Sequence, residues 1–215
     1  LIHFSHCKHC SLHQDYGGIA VVLKEQINDW LKLYATEKRR AHALGVAETA
    51  LDLAAKHGAD PDKAYAAGIL HDLARDYPAG ELLARAEHFH IPVGYWEKSN
   101  PVVLHGPVAA SVVKERLGMQ DEEILEAIRV HTLGAPHMSP VAKIVYLADI
   151  IEPGRKFDGV EYLRRLAAEN MDCALLAAMD GTINYLLQRK VIIHPKTVEV
   201  RNYILMSRLS KEGKI

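Results

Sequence analysis

The sequence predicts an all-α protein, a single-domain helical bundle, and three observations carry that expectation. From Ile19 onward apolar residues recur at helical spacing almost without interruption, the breaks fall at Gly and Pro clusters, and strand-like alternation is nearly absent. At 215 residues the chain is long enough to bury one sizeable core, and nothing in its length demands a second.

Helices are expected over 20–35, 37–57, 61–75, 79–89, 101–117, 121–132, 139–152, 158–168, 171–190 and 196–210. Gly58 after Lys56-His57 reads as a C-terminal stop, Pro61 as an entry into the next helix, Gly118 as another stop, and Pro140 as a first-turn residue. Residues 19–215 therefore form the expected domain. Residues 1–18 are expected to be a mobile N-terminal extension: their four histidines and the Cys7-x-x-Cys10 pair resemble half of a zinc site whose other half is missing, and no function is assigned to them.

Composition narrows the function classes. With 26 Lys+Arg against 27 Asp+Glu, the net charge of −1 provides no global field for nucleic acid or an anionic membrane, so an anionic ligand must be met by local charges. The chain lacks an apolar run of about eighteen residues and a signal-peptide pattern, and reads as a cytoplasmic protein. Three cysteines cannot form a disulfide framework.

The chemistry is expected at His71-Asp72, which sits inside the small and apolar stretch from Ala66 to Ala74. A carboxylate there costs several kcal/mol unless it is paired or binds a cation, and Arg75 alone would satisfy the pair as an ordinary structural feature. Four further residues share the misfit. His131 lies on one helical face with Ile124, Ala127 and Ile128; Asp149 with Ala142, Val145 and Tyr146; His105 with Val108, Ala109 and Val112; His42 with Val46, Ala50 and Leu53. A single inward histidine is usually a satisfied core residue. Four histidines and two carboxylates, each on the inward face of its segment, point instead to a shared metal centre. The other helical-region histidines, at 57, 88, 90, 137 and 194, read as solvated or structural, with His88 and His90 as candidate pocket-rim residues.

Imidazoles and carboxylates without a thiolate suit iron, manganese or zinc. Six ligands exceed what one catalytic ion takes, so two ions bridged by Asp72 fit the count; such a pair, about 3.5–4 Å apart, holds a hydroxide and neutralises phosphate during in-line attack. Arg75, Lys143, Arg155 and Lys156 lie in segments that lead into or out of these positions and are candidates for a phosphate-binding rim.

The order His42, His71-Asp72, Asp149 resembles the HD superfamily of metal-dependent phosphohydrolases, and His105 and His131 resemble the extra ligands of its two-metal branch. The strings His42-Ala-Leu-Gly-Val-Ala-Glu-Thr-Ala, His71-Asp-Leu-Ala-Arg, Leu104-His-Gly-Pro-Val-Ala-Ala, Ala127-Ile-Arg-Val-His-Thr-Leu-Gly and Lys143-Ile-Val-Tyr-Leu-Ala-Asp-Ile-Ile-Glu-Pro-Gly-Arg are similar to those of the bacterial YqeK family. The likeness runs from about residue 37 to the Ile193-His-Pro and Arg201-Asn strings.

The resemblance implies an HD-type bundle and a di-iron hydrolase that splits diadenosine tetraphosphate symmetrically into two ADP. It implies one iron on His42, His71, Asp72 and Asp149 and the second on Asp72, His105 and His131. The expected catalytic residues are Asp72, Lys143 and Arg155, and the expected substrate contacts are Arg75, Lys143, Arg155, His131 and Thr132. Leu133 and Ala142 depart from the family pattern without touching a ligand position. Two other readings remain open at this point: an HD-type enzyme for another nucleotide, and a nucleotide-sensing module without turnover. Apolar positions around Tyr203 to Met206 mark a candidate homodimer face.

Overall fold

The computed structural model describes residues 36–214, and the expected tail of residues 1–18 and helix over 20–35 lie outside them. Among the described residues there are ten α-helices and no strand: α1 Glu37–His57, α2 Pro61–Leu70, α3 Ala79–His88, α4 Tyr95–Ser99, α5 His105–Leu117, α6 Glu122–Val130, α7 Pro140–Ile151, α8 Val160–Glu169, α9 Met171–Arg189 and α10 Pro195–Lys211, with a 3₁₀ turn at Pro101–Leu104. The boundaries follow capping chemistry. Thr36, Asp60, Asp121, Ser139 and Asn170 each accept a backbone N–H of the helix they precede, and Gly58 (φ 69°) and Gly118 (φ 66°) take the left-handed conformation that ends α1 and α5.

The bundle is organised around α7, which buries Val141, Ala142, Ile144, Val145, Tyr146, Leu147, Ala148 and Ile151. A helix apolar on nearly every side must be surrounded, and α7 packs against α1, α2, α6, α8 and α9. Small residues bring α1 and α2 together: a Cβ on Gly68 would lie 2.9 Å from the Cα of Ala47, so only glycine permits this approach. Both helices are thereby pulled close beneath the residues that follow Leu70.

Three elements differ from expectation. Helix 61–75 stops at Leu70, and the chain continues in tight turns closed by bonds from Leu73 N–H to Leu70 and from Arg75 N–H to Asp72. The segment expected as one helix over 101–117 opens with the 3₁₀ turn, and α4 is a short helix with no counterpart in the expectation. Of the stretch Tyr203 to Met206, Ile204 is in the core and Met206 is exposed.

Candidate metal centre

Three of the four histidines of the site stand where elements end. His71 directly follows α2, His105 follows the 3₁₀ turn, and His131 follows α6. Each turns its ring back so that Nδ1–H donates to the carbonyl three residues earlier: to Gly68 at 2.6 Å, Val102 at 2.5 Å and Ile128 at 2.8 Å. The last carbonyls of an α-helix lack intrahelical donors, so His71 and His131 supply one to the helices they follow, while His105 adds a second donor to a Val102 carbonyl that already accepts its backbone N–H. His42, inside α1, has no such carbonyl, and its Nδ1 meets the buried Glu152 carboxylate at 3.2 Å. In all four rings the Nδ1 proton is committed, which leaves Nε2 as a lone-pair acceptor directed inward.

These acceptors converge on acceptors. Asp72 Oδ1 lies 3.2 Å from His105 Nε2 and 3.6 Å from His131 Nε2, while Asp72 Oδ2 lies 3.7 Å from both His42 Nε2 and His71 Nε2. Asp149 Oδ1 is 3.1 Å from His42 Nε2 and 3.8 Å from His71 Nε2. The Nε2 atoms of His105 and His131 face each other at 2.9 Å, and those of His42 and His71 are buried without a hydrogen-bond partner. Lone pairs so disposed repel unless protons or cations lie among them. Two imidazole nitrogens coordinated cis on one ion, at bond lengths near 2.1 Å, stand about 3 Å apart. The donor set therefore fits metal: His42, His71 and Asp72 form one group able to hold an ion, Asp72, His105 and His131 another, and His71, His131 and Asp149 a third that overlaps both.

Electrostatics agree. Burial pushes the His71 imidazole down to about 4 and also lowers that of His105, keeping both neutral, as ligands must be. For Asp72 and Asp149 burial acts in the opposite sense, but the surrounding imidazoles outweigh it and hold both carboxyls well below the usual carboxylate range. His42, despite burial, is raised by the Asp149 and Glu152 carboxylates.

Side chains around the cluster divide into those the sequence predicted and those it did not. Arg155 reaches Asp149, donating through Nη2 to Oδ1 at 2.5 Å and through Nε to the backbone carbonyl at 2.8 Å. Thr132 Oγ1 is 3.2 Å from His105 Nε2 and 3.3 Å from His131 Nε2. Arg75 is half-buried on the turn that follows Asp72, with its backbone N–H bonded to the Asp72 carbonyl at 2.9 Å. Lys143 is not brought to the cluster: its ammonium pairs with Asp172 at 2.8 Å, beside Lys211, in a separate cavity of about 190 Å³ that His137 and Tyr203 also line.

Two further residues touch the predicted ligands. Arg39 donates to Asp72 Oδ2 at 2.9 Å and to Asp76 at 3.0 Å, and Glu152 supports His42. Gly45 leaves room for Glu152, since a Cβ there would lie 2.8 Å from its Oε2. Both residues carry a sequence signal, one helical turn before His42 and three residues after Asp149.

A family model described as the HD domain matches residues 39–154, more than half of the chain and all of the cluster. Site and match together define the class, a metal-dependent HD-domain phosphohydrolase. The chain is 39% identical over 180 residues to a symmetrical bis(5′-nucleosyl)-tetraphosphatase of Halalkalibacterium halodurans, covering 83% of this chain and 95% of that protein. It is 37% identical over 182 residues to the Bacillus subtilis protein of the same name, covering 85% of this chain and 97% of that one. The crystal structure of an HD superfamily hydrolase from Clostridium acetobutylicum superposes with a TM-score of 0.83 at 38% identity, over 86% of this chain and 97% of that one. The chain belongs to the HD-domain family and, within it, to the symmetrical bis(5′-nucleosyl)-tetraphosphatases.

Proposed function

We propose that this protein hydrolyses diadenosine tetraphosphate symmetrically to two ADP, in the cytoplasm, at a centre of two iron ions, with manganese or zinc as alternative occupants. His42, His71, Asp72 and Asp149 hold one ion; Asp72, His105 and His131 hold the other. The observation that carries this reading is the division of Asp72: one carboxylate oxygen faces His105 and His131, and the other faces His42 and His71. When bound, the pair of ions supplies a hydroxide nucleophile at neutral pH and neutralises charge on the phosphates.

The chain's own residues account for the rest. Asp72 and Asp149 remain ionised and bring negative charge to the cations, while the four imidazoles contribute none, so the loaded site is still positive enough to attract a polyphosphate. Arg155 holds Asp149 in place with part of its guanidinium while its side chain stays 42% exposed, leaving donors for a substrate phosphate. Arg75 and Arg39 flank Asp72 from the neighbouring turn and from α1, and complete the rim. Lys143, engaged with Asp172, is left out of this assignment. ADP leaves as a stable anion, so cleavage of the central P–O bond requires charge neutralisation more than a general acid.

The experiment is product analysis of the purified protein with diadenosine tetraphosphate and Fe²⁺ or Mn²⁺. Two equivalents of ADP are expected; AMP with ATP, or no cleavage with either metal, overturns the reading.

A further inference from the structure

The loop that follows Asp149 presents chemistry that the metal centre does not use. It borders a shallow concavity of about 530 Å³, within the range of small-molecule sites, whose wall includes Arg155, Lys156 and Phe157 together with the carboxylates of Asp158 and Glu161, the latter paired with Arg164. Phe157 is 46% exposed and stands outside the hydrophobic core. A lone exposed phenylalanine is unremarkable. This one is held in place: Arg164 donates to the carbonyls of Ile151 and Glu152 at 2.8 Å and of Arg155 at 3.1 Å, and Val160 N–H bonds to the Phe157 carbonyl at 3.1 Å. A braced turn thus keeps an aromatic face in water.

What surrounds it indicates a ligand class. Arg155, two residues earlier, reaches Asp149 of the cluster, and Lys156 between them is exposed, with no ion pair among the described residues. Two residues span at most about 7 Å, of the same order as the reach from the phosphates of a nucleotide to its base. Cations at the cluster end and an aromatic face one short step outward match an anionic chain that ends in a flat heterocycle. We propose that the loop Pro153–Asp158 is the subsite for one nucleoside diphosphate arm of the substrate, with the base stacked on Phe157 and Lys156 against the phosphates. The assignment rests on the proposed function and names the part of the protein that recognises the nucleoside.

Titration calorimetry of the metal-loaded protein with ADP and with inorganic pyrophosphate tests it. Phe157→Ala is expected to weaken ADP binding at least about fivefold, the lower end of base-on-aromatic stacking, while leaving pyrophosphate binding unchanged. Phe157→Trp restores ADP binding, and Lys156→Ala weakens both ligands together. A Phe157→Ala protein that binds ADP as the unmodified protein does, a parallel loss of pyrophosphate, or no preference of the unmodified protein for ADP over pyrophosphate overturns the proposal. Failure here is separable from failure of the proposed function: production of AMP and ATP rejects symmetric cleavage, whereas the difference between the two ligands decides the subsite.

Discussion

His105 and His131 are steadied by main-chain carbonyls of Val102 and Ile128, whereas His42, across the same cluster, is steadied by the Glu152 side chain, and its neighbour Asp149 by Arg155. The first half is nearly closed to solvent, with side chains 6% and 1% exposed; in the second, His42 and Asp149 are 13% and 23% exposed. The contrast shows two ways of orienting an imidazole. A carbonyl fixed by helix geometry makes a stiff ligand that no single side-chain replacement can retune. A carboxylate makes a more basic ligand whose strength depends on one residue. Asp72 joins the halves and belongs to both.

The largest expected effect removes the comparison altogether. Asp72→Ala should lose both ions and reduce turnover by more than about a thousandfold, read by elemental analysis beside product chromatography, because in the proposed centre both ions share this carboxylate. Next comes pH, in protein stripped of metal. The depressed His71 value means that the unfolded chain takes up a proton, on passing below about 6.5, before the folded chain does. Stability is therefore full above that pH and falls by up to on the order of 3 kcal/mol as pH drops to about 4, visible as a lower melting temperature. His42 has the opposite sign: its raised value contributes stability at low pH that is lost as pH rises through it, so two neighbouring imidazoles on the same side of the cluster oppose each other. Glu152→Gln should weaken retention of the ion on the His42 side by about 10- to 100-fold and spare the other, read as metal stoichiometry falling from two toward one during dialysis against a chelator. Equal loss of both ions would erase the distinction between the halves. The smallest effect is expected at Thr132→Val, which removes one hydroxyl beside His105 and His131 and should change metal affinity by less than about tenfold in the same dialysis.

Much of this could be read from sequence because burial and polarity conflict at each position: an imidazole or carboxylate on an apolar helical face is conspicuous at any of the six. All six positions gather in space. Arg39 and Glu152 escaped notice because charged residues near helix ends are common and only their partners distinguish them. Lys143 misled for the converse reason. Its place six residues before Asp149 suggested a shared site, but six residues advance the helix by about 240°, and the ammonium points to Asp172 instead. The stop of α2 at Leu70 was equally hidden, since the apolar run continues to Ala74 and the turn is closed by backbone bonds that leave no compositional mark.

Three of the imidazoles also brace the segments they follow, each giving a proton to the carbonyl three residues back. The candidate metal ligands and the architectural trim are thus one set of atoms. A descendant that abandoned the chemistry could not simply discard these rings; it would forfeit three side-chain bonds that tie the turns to the segments before them.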